Sequence, residues 1–188
     1  PQAVAERNTA SPQMATGGGY EFVPVLSAVF RMGSSRREQG RRSNETLRDI
    51  RLSRSFYMGK REVTNAEFRK FKADHHSGSE GKETLNRSTQ PVVNVHWQDA
   101  ARYCNWLSAQ DGLPPAYRER GTNVVAVSPM TTGYRLPSEA EWAYCARSDA
   151  AGGLLKYPWG EGFPPKEKHG NYGDQSAVDL VAFPIKGY

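Results

Sequence analysis

Apolar residues recur at helical intervals in three places along the chain. Trp97, Ala100, Ala101, Cys104, Leu107 and Ser108 fall on one stripe, and Gly112 and Pro114 follow it. That pattern predicts a helix over about 97–110, closed by a Gly cap and then a Pro. Thr64 and Glu67 have capping-box spacing, Val63 and Phe68 occupy the staple positions, and Phe68 and Phe71 share a face, so a first helix is expected there. Ser138 and Glu141 form a second capping box just after Pro137. Trp142 and Cys145, three apart, then predict a buried amphipathic helix.

Outside these helices the period shortens. Tyr20–Leu26 and Val29–Met32 read as strands around a turn at Ser27–Ala28, and Pro24 assigns the first to a sheet edge. Ile50–Ser53, Ser55–Gly59 and Asn123–Val127 read as further short strands. Residues 33–48 form a polar loop, and residues 73–90, with Gly78 and Gly81, read as a mobile surface loop. Residues 1–19 show no period and are expected to be a disordered lead-in to one domain over 20–188. Strands and helices do not alternate regularly, which excludes a Rossmann fold or barrel and indicates an irregular α+β domain with little regular secondary structure.

Composition changes this picture little. The chain has 188 residues, 37% hydrophobic and 11% aromatic, enough for one core. No run of 18 apolar residues predicts a membrane-spanning helix, and no signal peptide is visible. The start at Pro1 reads as that of a trimmed product whose leader is missing. Net charge is +5, but the densest cluster, Arg36, Arg37, Arg41 and Arg42, has no aromatic beside it. It reads as a solvated loop, and no nucleic-acid partner is expected.

Candidate chemistry is sparse. There is no phosphate-binding Gly-rich loop, no G-x-S-x-G, no C-x-x-C and no H-E-x-x-H. His75, His76, His96 and His169 lack ligand spacing, with His75–His76 expected to be exposed and His96 at a helix N-cap. Glu67 and Glu141 are explained by capping, and no catalytic residue is assigned. Two readings stand for Cys104 and Cys145: buried thiols, or a disulfide made with each other or with cysteines outside this chain. A mutual bridge would close a loop of about 40 residues, add roughly 3–4 kcal/mol and imply an oxidising compartment. In His169–Ala177, Asn171, Asp174 and backbone carbonyls offer the mixed oxygens that calcium takes.

The motifs, taken in order, resemble the formylglycine-generating-enzyme family. They are FRMGS (Phe30–Ser34), FYMGKREVTNAEFRKF (Phe56–Phe71), PVVNVHWQDAARYCNWLS (Pro91–Ser108), GYRLPSEAEWAYCAR (Gly133–Arg147), YPWG (Tyr157–Gly160) and GNYGD (Gly170–Asp174). The resemblance implies a fold similar to C-type lectins and structural calcium held by Asn171 and the carbonyl of Tyr172. It also implies that Cys104 and Cys145 occupy structural disulfide positions and that the domain lies in the periplasm or outside the cell. Family members continue beyond the position of Tyr188, and the true enzymes carry their redox cysteine pair there, using copper and oxygen. The expected function is therefore a non-catalytic regulatory or binding domain, as in a periplasmic branch serving kinase-controlled type VI secretion. Its partner would be a protein or small ligand, with the oligomeric state open. The alternative is a copper-dependent oxidase, making formylglycine or oxidising a siderophore chromophore, with its active site in the later part.

Overall fold

A computed structural model describes residues 14–16, 19–38, 41–149 and 153–162. The chain divides into two compact units, each built from non-contiguous segments. Both mix short antiparallel strands with helix, as the α+β expectation requires.

The first unit holds β1 (Met14–Ala15), β2 (Glu21–Val25), β3 (Ala28–Met32), β4 (Arg48–Leu52), β5 (Phe56–Gly59) and α3 (Glu139–Arg147). Strand β1 lies inside the segment expected to be a disordered lead-in; residues 1–13 are outside the described residues. Strand β2 runs between β1 and β5, so it is not an edge strand along its whole length. Strand β1 reaches only Glu21 and Phe22, however, which leaves Pro24 paired on one side, with Tyr57 of β5. A Pro is tolerated there because it takes no ladder partner on the open side.

Strands β3 and β4 pair over five residues, from Ala28↔Leu52 to Met32↔Arg48. Gly33 leaves β3 at φ +101°, and a Cβ there would stand 2.4 Å from the Thr46 carbonyl oxygen, so only glycine fits. Alternation along the pair turns Phe30, Ile50 and Leu52 inward. Phe30 is 8% exposed and packs on Tyr144 of α3 with ring centroids 5.2 Å apart. Helix α3 starts as expected: the Glu141 N–H donates to Ser138 Oγ (3.3 Å), and the Ser138 N–H to Glu141 Oε2 (2.8 Å). Its inner face is not the one expected. Trp142 is 62% exposed, and no residue of α3 is fully buried. The face that meets the hairpin is set by Tyr144, about 200° around the helix from Trp142.

The second unit holds α1 (Asn65–Arg69), β6 (Ser79–Glu80), β7 (Glu83–Thr84), α2 (Trp97–Gln110), β8 (Tyr117–Arg120) and β9 (Asn123–Ala126). Helix α1 is a five-residue helix with its capping box in place, and Phe71 lies just beyond its end. Helix α2 has the expected bounds, and its buried residues are Ala101, Tyr103, Cys104, Leu107 and Ser108. Trp97 is 50% exposed and lies edge-on to Tyr117 at 5.6 Å, so it borders the buried stripe instead of belonging to it. One core forms from Ala101, Cys104, Ala116, Tyr117 and Val124, with Tyr134 and Leu136 packed against it. On another side of α2, Phe68, Phe71, Tyr103 and Trp106 make a continuous ring cluster. Asn105 ties α2 to β8: its Oδ1 accepts from the N–H groups of Ala116 and Tyr117, and its Nδ2 donates to the Tyr117 carbonyl.

Candidate functional site

The residues expected to carry function fall in three places. Asn171 and Tyr172, the calcium candidates, lie outside the described residues, as do Asp174 and His169. Cys104 belongs to the second unit and Cys145 to the first. Both are free thiols in this structure. Burial pushes the Cys104 thiol up to about 12, against a smaller opposing pull from Arg135. Burial, and then the Glu141 carboxylate, also raise Cys145. A thiol must ionise to attack or to bind a metal, so both environments favour packing over reactivity.

A buried polar centre of the second unit is one the sequence did not reveal. Asn65 and Ser77 are both wholly buried. Asn65 Nδ2 donates to the carbonyls of Leu85 and Arg87, each at 2.9 Å, and its Oδ1 accepts from the Ser77 hydroxyl at 2.5 Å. Ser77 Oγ in turn accepts from the Val93 N–H (3.1 Å). Asn94, at φ 58°, donates from Nδ2 to the Ser77 carbonyl at 2.7 Å, which stabilises its left-handed backbone. Arg69 donates to the carbonyls of His75 and Asn86 and to the Asn86 side-chain oxygen. The segment 73–90 is therefore pinned to α1 and to 93–94. It is not the mobile surface loop that its polarity suggested.

His75 lies in that segment with its ring edge-on to Phe68 at 4.9 Å, packed and not merely exposed as expected. Its Nε2 is 3.3 Å from Ser77 Oγ, which has the outline of a Ser–His nucleophile pair. The same Nε2 is 3.1 Å from the Val93 carbonyl oxygen, which can only accept. Nε2 therefore carries the proton and cannot act as base toward Ser77. The serine is also buried and commits its own proton to Asn65. The cluster is structural. His96 occupies the N-cap of α2 as expected, but its side chain makes no capping hydrogen bond.

A second charged centre lies at the start of α1. Arg61 forks onto Glu67 at 2.8 and 2.5 Å, and the Thr64 N–H and hydroxyl both donate to Glu67 Oε2 at 2.8 Å. Burial alone would raise this carboxyl, but these donors outweigh it and bring Glu67 down to about 2. The Tyr20 and Tyr103 hydroxyls are hydrogen-bonded to each other, and burial raises both phenols. Every donor to Glu67 serves to anchor α1, and no group of three His, Cys, Asp or Glu that could hold a metal occurs among the described residues. With no such group present, and Cys104 packed in an apolar core, the described residues do not fit a copper centre.

The chain matches the sulfatase-modifying factor enzyme 1-like domain family over residues 7–185. It is 32% identical over 158 residues to the chaperone protein LppX of Paenibacillus barcinonensis, covering 77% of this chain and 51% of that protein. It is 26% identical over 230 residues to the formylglycine-generating enzyme of Mus musculus, covering 89% of this chain and 54% of the enzyme. The chain thus spans about half the length of these curated relatives. Among solved structures it is similar to PvdO from Pseudomonas aeruginosa, with a TM-score of 0.60 and 28% identity, over 93% of this chain and 66% of PvdO. By the match along nearly its whole length, the chain belongs to the sulfatase-modifying factor family, that of the formylglycine-generating enzymes.

Proposed function

We propose that this chain is a non-catalytic regulatory or binding domain on a formylglycine-generating-enzyme-like scaffold of C-type-lectin type, working outside the cytoplasm. The observation that carries the reading is that the thiols and polar clusters among the described residues are committed to packing and anchoring. Cys104 is packed in an apolar core, the buried Asn65–Ser77 pair fastens residues 73–90 to α1, and Glu67 is held by Arg61 and Thr64. A relative bearing the name of a chaperone, LppX, supports a role other than oxidation on the same scaffold. A place in kinase-controlled type VI secretion, with a protein partner and structural calcium at Asn171 and Tyr172, is the finer form of this reading. Affinity purification of the whole tagged protein tests it. Co-elution of secretion-pathway envelope proteins supports that finer form, and their absence from the eluate counts against it.

The second reading is a copper- and oxygen-dependent oxidase, favoured by the alignment to the mouse formylglycine-generating enzyme over 89% of this chain. Its reacting cysteines would come from the part of the relatives that this chain does not span. Oxygen uptake by the copper-loaded whole protein with a cysteine peptide separates the two readings.

A further inference from the structure

Residues 31–54 hold eight arginines, no lysine and three carboxylates, a net +5. The whole chain is also +5, so everything outside this hairpin balances to zero. In the β3–β4 ladder Arg31 stands opposite Asp49, and Val29 opposite Arg51. These four share the face turned away from Phe30 and Tyr144. Arg31 and Asp49 approach to 3.7 Å. Arg36, Arg37, Arg42, Arg48, Arg51 and Arg54 are all exposed and make no ion pair among the described residues. Fixed positive charge that no intramolecular carboxylate balances raises the local concentration of anions.

What kind of anion is decided by the apolar residues in the same place. Val29 is 66% exposed on the outer face, Leu47 40% exposed just before β4, and Leu26 44% exposed just before β3. Nucleic-acid grooves interleave cations with aromatic rings for base stacking, and this hairpin exposes none on that face. An open cleft of about 250 Å³ lined by Val29, Arg51 and the serines Ser27 and Ser53 adjoins the face. It is smaller than the sites that enclose small ligands, which run from about 300 Å³ upward. Exposed aliphatics among cations, beside an open cleft that offers one guanidinium and two hydroxyls, match the interface of an anionic bilayer. Arginine suits that interface because its fork pairs with phosphate oxygens in two bonds.

We propose that the outer face of the β3–β4 hairpin docks the protein on an anionic phospholipid surface, with Val29 and Leu47 at the acyl boundary and the arginines on headgroup phosphates. The full chain is sedimented with vesicles of phosphatidylcholine alone and of phosphatidylcholine with phosphatidylglycerol. Retention is expected only on the second, falling as salt is added. The triple variant Arg36→Ser, Arg37→Ser, Arg51→Ser should weaken it by roughly a hundredfold, about fivefold for each charge. The matching lysine triple should stay within about fivefold of the parent, and circular dichroism reports that each variant is folded. Equal retention on neutral vesicles overturns the proposal. So does a folded serine triple that binds unchanged, or polyglutamate or duplex DNA that strips the protein from the vesicles.

Discussion

The Ser77 hydroxyl donates to the Asn65 side-chain oxygen at 2.5 Å, and neither residue has any exposed surface. Through this bond a polar segment twelve residues further on is fastened to the first turn of α1. Asn65→Ala would remove the acceptor on α1 for the Ser77 hydroxyl and the side-chain donor to the carbonyls of Leu85 and Arg87. We expect a loss of about 3 kcal/mol and a Tm lower by roughly 10 °C. Ser77→Ala should cost about half as much. Thermal unfolding checks both, and an unchanged Tm in Asn65→Ala would show that the segment is not held as described.

Acid should loosen the same region through Glu67. Its carboxyl lies near 2 in the folded chain against an ordinary 4.5. The unfolded chain therefore takes up the proton first. The stabilisation is complete above about pH 4.5 and is lost as pH falls toward 2. Its size is on the order of 2 kcal/mol, discounted because the Arg61 partner is half exposed. Urea midpoints measured down this pH range should fall less steeply in Glu67→Gln than in the parent. Parallel slopes would refute the ion-paired state.

The two thiols should differ in reactivity. Cys145, only partly buried, should alkylate in the folded protein, and faster as pH rises. Cys104 should react only on unfolding. Timed alkylation read by mass spectrometry checks this; rapid labelling of Cys104 in the folded protein would contradict its place in the core.

Calcium, if Asn171 and the Tyr172 carbonyl hold it, is linked to stability by mass action. Adding EDTA to the whole protein should lower its Tm, and Asn171→Ala should abolish the difference. An EDTA scan that overlays the untreated one would remove calcium from the account.

Local chemistry was legible in the sequence, and long-range choices were not. The Thr64–Glu67 and Ser138–Glu141 capping boxes need only four consecutive residues, and both formed as read. The bounds of α2 followed from its stripe and its Gly112–Pro114 stop. Spacing shows that Trp142 and Cys145 share a side of α3, but not which side meets β3; Tyr144 took that position, and Trp142 stayed in water. Trp97 failed the same way, at the border of its stripe. Residues 73–90 looked mobile because they are polar, yet their order comes from Asn65, Arg69 and Asn94, all outside the segment. An Asn immediately after a helix cap was the one available sign. The calcium candidates and the β3–β4 arginines depend on neighbours that spacing alone does not supply.

Oxygen uptake by the copper-loaded whole protein, presented with a cysteine-containing peptide, bears most directly on the non-catalytic reading. We expect uptake no faster than copper and peptide without protein, and no formylglycine in the recovered peptide. Sustained protein-dependent uptake with formylglycine formed would contradict it.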